Sequence, residues 1–166
     1  MARYVISDAN PLIGLVIVDG LAWLPELFAE VWIPTSVQRE VLPGLKARGG
    51  PEIAAAIMCK ALRAWKKTIP LPAVDIPELD AGETDCIRLA LSVGAASVLI
   101  LMDERAGRAV AIDCGIPITG TAAVISLAKR RCLIASAKAQ FEHLHATDFR
   151  ISATVIQATL RAAGEL

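Results

Sequence analysis

The sequence predicts an α/β fold in which a mainly parallel sheet is covered by helices on both faces. Short apolar segments of strand length alternate with helical segments along the chain, as in βαβ units. Residues 97–102 form an apolar run that ends at Asp103, which is typical of a central parallel strand buried on both faces. The hydrophobic share of 55%, against 20% charged residues, excludes a disordered chain.

The first half of the chain contains several strand and helix signals. Asn10 with Pro11 predicts the N-cap and first residue of a helix, and Thr35 with Gln38 predicts a capping box. The predicted elements are, in order, a strand at 4–7, helices at 10–18 and 21–28, a strand at 31–33, helices at 35–42 and from 51 to about 67, and a strand at 68–71.

The second half continues the alternation. Asp80 with Glu83 is an N-terminal helix signature, and Gly94 marks the end of that helix. The predicted elements are a helix at 81–93, strands at 97–102 and 117–119, and helices at 104–114, 121–131, 136–144 and 152–163. With 166 residues and no linker, we expect a single domain over 1–166, with the C-terminal helices from about 134 packed on it.

Composition narrows the function classes. Seventeen Lys plus Arg balance seventeen Asp plus Glu, so any nucleic-acid binding is local rather than driven by net charge. An aromatic share of 4% argues against the base-stacking surfaces of RRM or OB domains. The longest uncharged stretch is too short and too interrupted to span a membrane, and no signal peptide is visible at the start. We therefore expect a cytoplasmic protein with no membrane association.

Cysteine and histidine offer little for metal or triad chemistry. The four cysteines are far apart and lie in apolar patterns, so we expect buried thiols rather than a metal site. His143 and His145 are the only histidines, and on a helix they point to different faces. A zinc centre or a histidine-based triad is therefore not predicted.

Asp8 and Asp103 are the first candidate site residues. Each ends a predicted strand, and in open α/β sheets the ligand crevice lies beyond the carboxyl ends of the strands. The alternative is that each only caps the following helix. For Asp8 the alternative is weak because Asn10 is better placed to cap, whereas for Asp103 it is an equal competitor.

Glu40 and Glu83 are the second pair of candidate site residues. Glu40 borders the inward face of its helix, although a surface position at that boundary is the stronger alternative from the sequence. Glu83 lies on the same predicted helix face as Ile87, which makes it a candidate site residue. It also completes a capping box with Asp80, and the site role and the capping role are compatible.

Convergence of these acids would require a cation. Four neighbouring carboxylates raise one another's pKa and cannot all stay ionised alone. Oxygen ligands without His or Cys select Mg²⁺ or Mn²⁺, which activate water in phosphoryl displacement. Asp8, Glu40, Glu83 and Asp103 are thus the predicted metal-binding and catalytic residues.

Five segments together resemble the PIN-domain family, and within it the VapC-like prokaryotic branch. They are VISDANPLIGL at 5–15, VQREV at 37–41, LDAGETDCIRLALSVGA at 79–95, LILMDERAGRAVA at 99–111 and ITGTAAVISLAKRRCLI at 118–134. The resemblance implies a three-layer α/β/α sandwich with a mainly parallel central sheet, and metal-dependent ribonuclease activity at Asp8, Glu40, Glu83 and Asp103. It also implies a cognate antitoxin protein. Glu83 stands where relatives more often have Asp, and Asn10 where they often have Ser or Thr.

Substrate contacts are expected beside the acids. Asn10, Arg105, Thr119 and Thr121 lie at predicted strand-to-helix turns on the crevice side, where they can reach phosphate, although Arg105 fits a solvated helix position equally well. Two basic runs, 60–67 and 129–131, are candidate RNA contacts, with solvated surface as the stronger alternative.

The leading hypothesis is a Mg²⁺- or Mn²⁺-dependent endoribonuclease, the toxin of a type II toxin–antitoxin pair. The alternative is a non-catalytic PIN-like module that binds a partner protein or RNA. A phosphatase of the HAD type is set aside because Asn10 stands where its second Asp is needed. A homodimer is expected, because the apolar excess leaves helix faces to cover and PIN relatives commonly dimerise.

Overall fold

A parallel sheet forms the centre of the protein. The computed structural model describes residues 4–42 and 49–166. Within them the sheet has five strands in the order β3-β2-β1-β4-β5, every pair parallel. The strands are β1 (Tyr4–Ser7), β2 (Val31–Ile33), β3 (Arg63–Ala64), β4 (Val98–Leu101) and β5 (Ile118–Thr119).

Helices flank this sheet, so the α/β/α sandwich is confirmed. In the first half they are α1 (Ala9–Ile17), α2 (Trp23–Leu27), α3 (Thr35–Val41) and α4 (Gly50–Met58). In the second half they are α5 (Ala81–Val93), a 3₁₀ turn (Ala95–Ser97), α6 (Arg105–Asp113), α7 (Thr121–Arg130), α8 (Ala137–His145) and α9 (Ala153–Ala163). No helix of the described residues is long and apolar enough to cross a membrane.

β1 and β4 are the central pair, and their register sets the position of the site. Tyr4 pairs with Val98 and Ser7 with Leu101. Burial of β4 is nearly complete, as its apolar run predicts. Because the two strands end side by side, the residues that follow them enter the same edge of the sheet.

The segment between α4 and α5 differs from the prediction. The helix expected to reach Lys67 ends at Met58, and residues 68–71 do not form a strand. Instead the chain turns at Lys60, whose φ is 65°, and β3 follows directly. The strand continues the sheet because the Trp65 N–H donates to the Ile33 carbonyl at the end of β2. That bond joins residues far apart in the chain, so local periodicity could not indicate it.

The predicted helix starts are only partly confirmed. Asp8, not Asn10, occupies the N-cap position of α1, and Asn10 is the second helical residue. The Thr35–Gln38 capping box is also wrong, because the Gln38 side chain donates to the Ile33 carbonyl instead. The Asp80–Glu83 box, the caps at Ser136 and Ser152 and the helix end at Gly94 are confirmed.

The cysteines are free thiols, and their predicted burial is confirmed only in part. Cys86 is fully buried, and Cys114 is half-buried. Cys59 and Cys132 are exposed, because each follows the last residues of a helix and lies in the turn beyond its apolar face.

The last helix, α9, packs on α7 and α8. Glu165, just after α9, closes this unit: its carboxylate accepts from the Ala137 and Lys138 N–H groups at the start of α8 over 2.7 and 2.9 Å. Burial alone would raise the pKa of Glu165, but these N–H donors and the Ser136 hydroxyl lower it below its usual value.

Candidate functional site

Asp8 is held at the carboxyl edge of the sheet. Its N–H donates to the Leu101 carbonyl over 3.0 Å, which extends the β1–β4 pairing by one residue. The residue is only 3% exposed, and its side chain forms no capping hydrogen bond to α1. Its Oδ1 atom is buried without a hydrogen-bond partner. A charged oxygen in that position needs a ligand or a proton.

Three carboxylates meet over Gly82, near the start of α5. A Cβ at this glycine would lie 2.9 Å from Asp8 Oδ1 and 3.3 Å from both Asp80 Oδ1 and Glu40 Oε2. Glu40 reaches this point from α3 although it is an exposed residue. The absence of a side chain at Gly82 therefore leaves the space into which the three acids project.

Glu83 borders the same region through the α5 capping box. Its N–H donates to Asp80 Oδ1 over 2.8 Å, and its Oε2 accepts from the Asp80 N–H over 3.3 Å. The other oxygen, Oε1, is buried without a hydrogen-bond partner. It lies against Gly107 of α6, where a Cβ would come within 2.6 Å. The structural and site roles expected for Glu83 are thus both compatible with its position.

The electrostatics of the cluster favour protonation. Burial is the main cause that raises the pKa of Asp8 to about 7, and repulsion from Asp80, Glu40 and Glu83 adds to it, while the Ala9 N–H partly offsets the rise. Loss of water also raises the pKa of Glu40 and of Glu83, in both cases with Asp80 as the largest charged contributor. A cation would relieve the same repulsion without protons.

The Asp103 carboxylate accepts hydrogen bonds from α7 and not from α6, the helix that follows it in the chain. The Thr121 N–H donates to Asp103 Oδ1 over 2.9 Å, and the Thr121 hydroxyl donates to Oδ2 over 2.6 Å. The carboxylate therefore holds the first residue of α7. Asp103 is not among the described carboxylates that raise the Asp8 pKa. Its position at the end of β4 is as predicted, but its oxygens are engaged, unlike Asp8 Oδ1.

Asn10 and Glu104 add a link across the crevice. The Asn10 side-chain amide donates to Glu104 Oε1 over 2.9 Å, which joins α1 to the start of α6. Glu104 also raises the pKa of Glu83 through its charge. Asn10 therefore contacts an acid outside the set expected from the sequence.

Comparison with known families decides the identity of the fold. A family model described as a PIN domain matches residues 4–165. The chain belongs to the PIN-domain family. No curated protein is significantly similar to it. The family resemblance noted in the sequence is confirmed, while the VapC-like branch stays a prediction. The PIN fold is typical of metal-dependent nucleases, which supports a hydrolase acting on nucleic acid.

Asp80, like Glu104, is a residue of this PIN domain whose place at the site was not predicted from the sequence. Its capping role is predicted from the sequence, but its carboxylate also faces Asp8 and Glu40 at Gly82. A signal was present: residues three apart on a helix start lie on one face, so an acid paired with Glu83 can share its crevice.

The remaining predicted substrate residues lie on one side of the acids. Arg105 is exposed on α6, and Thr119 is half-buried on the edge strand β5. Both line a groove of about 820 Å³ that begins at Asp103. Thr121 is fully buried beneath this groove, and its hydroxyl donates a hydrogen bond to Asp103.

The donor set suits a hard divalent ion, although it is not a ready-made chelate. The carboxylate oxygens around Gly82 are the ligand type that Mg²⁺ and Mn²⁺ prefer, and two of the neighbouring buried oxygens lack partners. In residues 4–42 and 49–166, however, no three Asp, Glu, His or Cys side chains are already placed as a metal site. Binding is therefore expected to involve side-chain rearrangement.

Proposed function

We propose that this PIN domain is a divalent-metal-dependent endoribonuclease that hydrolyses RNA phosphodiester bonds. The observation that carries the proposal is Asp8 Oδ1: a buried, unpartnered oxygen that faces Asp80 and Glu40 across the open side of Gly82. Folding a repulsive cluster of this kind costs stability, which is explicable where a cation and a substrate use it.

The position of each acidic residue indicates its role in the proposed site. Asp8, Glu40 and Asp80 would hold Mg²⁺ or Mn²⁺, and Glu83 would border the ion through its free Oε1. A divalent ion bound there supplies water activation and neutralises charge on the scissile phosphate. Asp103, fixed by Thr121, closes the α7 side of the crevice and completes the predicted acidic set.

The neighbouring polar residues would orient the substrate. Asn10 is immobilised by Glu104, so its carbonyl oxygen has a defined direction beside the acids. Arg105 and Thr119 line the groove through which a phosphate chain can reach Asp103.

Cleavage of a diverse RNA pool tests the proposal. The purified chain is assayed with Mn²⁺, with Mg²⁺ and with EDTA, alongside Asp8→Asn and the matched variant Asp113→Asn, whose aspartate is exposed at the end of α6. We expect metal-dependent cleavage that Asp8→Asn loses and Asp113→Asn retains. Equal cleavage by all three proteins would contradict the assignment and indicate a contaminant.

A second candidate function is a non-catalytic PIN-like module that binds RNA or a protein. The observation in its favour is that no three potential ligands of the described residues form a ready metal site. Calorimetric titration with Mn²⁺ separates the two: an Asp8-dependent binding event supports the nuclease, and no binding supports the module.

The proposed biological setting rests on the sequence: the family resemblance supports the toxin and antitoxin, and the composition also supports the dimer and the cytoplasm. We propose a toxin of a type II pair, inhibited by a cognate antitoxin protein, that acts as a homodimer in the cytoplasm. Copurification with the product of a neighbouring gene and light scattering of the purified chain would test these expectations.

A further inference from the structure

An aromatic ring from the α8–α9 connection packs against two helices of the site. Phe149 lies over Gly14 of α1, next to Thr121, the first residue of α7. A Cβ at Gly14 would come within 2.8 Å of Phe149 Cζ and 3.1 Å of Thr121 Cγ2. Because α1 begins directly after Asp8 and Thr121 holds Asp103, the ring contacts one helix connected to each strand-end acid.

Gly14 leaves the space that the ring occupies. It is a buried residue in the interior of α1, where glycine is less favourable for a helix than alanine. A Cβ there would be closer to the ring than real side chains pack, so an alanine would force the ring to move. The glycine is therefore explained by the close approach of Phe149 and not by the needs of the helix.

The connection that carries Phe149 is held by its own hydrogen bonds. The Thr147 hydroxyl donates to the Leu144 carbonyl over 2.6 Å, and the Phe149 N–H donates to the Thr147 hydroxyl oxygen over 3.1 Å. The Arg150 guanidinium donates to the carbonyls of Thr147 and Phe149. These bonds fix the backbone on both sides of the ring, so its direction toward α1 and α7 is set by the C-terminal helices.

The fully buried Thr121 carries two groups on its Cβ, and each has its own neighbour. The hydroxyl donates to Asp103 Oδ2 over 2.6 Å, whereas the Cγ2 methyl faces the space that the Phe149 ring fills. Threonine χ1 has three staggered positions, and rotation about χ1 moves both groups together. Packing of the methyl beside the ring therefore favours the χ1 position that directs the hydroxyl to Asp103.

We propose that Phe149 is a positioning residue for Asp103 and acts through the χ1 angle of Thr121. Its effect on catalysis rests on the proposed nuclease function, whereas its effect on Thr121 does not. Without the ring, the Thr121 methyl loses a packing partner and the hydroxyl is free to rotate away from Asp103. The carboxylate that closes the α7 side of the crevice is then no longer fixed by two hydrogen bonds.

Nuclear magnetic resonance of the metal-free protein tests this link without cleavage. Three-bond couplings from Thr121 Cγ2 to its backbone nitrogen and carbonyl carbon report χ1. We expect one χ1 position in wild type and an average over several positions in Phe149→Ala. Phe149→Leu keeps part of the packing, so it should give an intermediate result, and it replaces Phe149→Ala if that variant fails to fold.

Phe141→Leu is the matched control. Phe141 is a buried aromatic residue of α8 and lines a cavity between α8 and α9 with Ile156 and Leu160. Its replacement should lower Tm, as that of Phe149 does, but should leave Thr121 χ1 unchanged. Loss of stability is thereby separated from loss of positioning.

Cleavage kinetics test the consequence for the site. A mixed-sequence RNA with a fluorophore and a quencher gives kcat and KM in Mn²⁺ for wild type, Phe149→Ala, Thr121→Val and the double variant. Thr121→Val keeps the shape and the N–H donor but removes the hydroxyl. We expect each single variant to lower kcat about ten- to a hundredfold with little change in KM. The double variant should be no slower than the slower single variant, because both changes act on one hydroxyl. Phe141→Leu should retain the wild-type kcat.

Gly14→Ala tests the same contact from the opposite side. Its Cβ should displace the ring, so we expect a lower Tm and averaged Thr121 χ1 couplings, although alanine favours a helix more than glycine does. A single, unchanged χ1 position in the folded Phe149 variants and in Gly14→Ala would overturn the inference.

The kinetic results separate the two proposals. Losses of kcat that add in the double variant would refute action through Thr121 and leave the nuclease standing. If wild type cleaves no RNA, the nuclease fails and the catalytic role of Phe149 fails with it. The couplings then still decide whether Phe149 orients Thr121.

Discussion

Replacing the Asp8 carboxylate by an amide is expected to stabilise the metal-free protein at pH 8. Asp8 is 3% exposed, and burial raises the pKa of its carboxylate from 3.8 to about 7. The native state therefore binds this proton more tightly than the unfolded chain does. Stability from this group is present at low pH and is lost as pH rises from about 4 through about 7.

The magnitude follows from the shift. About three pK units at about 1.4 kcal/mol each give an upper value of about 4 kcal/mol at pH 8, and less than half of that at pH 5. The amide introduced by Asp8→Asn carries no charge at either pH, although it also needs hydrogen-bond partners, so we expect a gain of about 2–4 kcal/mol at pH 8. For a chain of this length that is a rise in Tm of about 5–15 °C.

Thermal unfolding in EDTA at pH 5 and pH 8 measures the effect. Wild type, Asp8→Asn and the exposed control Asp113→Asn are compared under identical buffers. The reasoning requires the gain of Asp8→Asn to grow between pH 5 and pH 8. If Asp8→Asn loses stability at pH 8, or gains the same stability at both pH values, the conclusion that Asp8 is an unpartnered buried carboxylate is refuted.

Four further outcomes are expected. Adding Mn²⁺ at 100 times its Kd at pH 8 should stabilise wild type by about 2.7 kcal/mol and leave the Asp8→Asn melting curve unchanged. Gly82→Ala should fold yet lose cleavage, because its Cβ would lie 2.9 Å from Asp8 Oδ1; full activity in a cleavage assay would count against the site. Asp80→Asn, which can still cap α5, should weaken Mn²⁺ binding in calorimetry with little change in Tm, whereas Asp80→Ala should also cost about 1 kcal/mol of stability. Glu165→Ala should cost about 1–3 kcal/mol in urea unfolding at pH 7, and the loss should shrink as the wild-type carboxylate is protonated at acid pH.

Local sequence signals predicted most of the elements that surround the site. The apolar run of β4 and the Asp80–Glu83 box depend on neighbouring residues, and both are confirmed. The prediction failed between Met58 and residue 71, where β3 forms by pairing with β2. Strand pairing is a long-range interaction, so the helical pattern that precedes it was extended too far.

For the candidate acids, too, some features could be predicted from the sequence and others could not. Residues that end strands or begin helices could be chosen from sequence because the carboxyl edge of a parallel sheet collects them. Which of these side chains face one another depended on the packing of α3, α5 and α6 around Asp8. The places of Asp80 and Glu104 at the site were therefore not predicted, and the partner of Asp103 is Thr121 on α7.

The α/β class, the order of most elements and the acids at the ends of β1 and β4 could all be predicted from the sequence. These features depend on local periodicity and residue type. The tertiary structure alone decided that Asp8 Oδ1 is buried without a partner, that three carboxylates share the space over Gly82 and that Arg150 lines the same groove as Arg105. Those features depend on desolvation and on distances between elements remote in the chain, and neither is encoded at any one position.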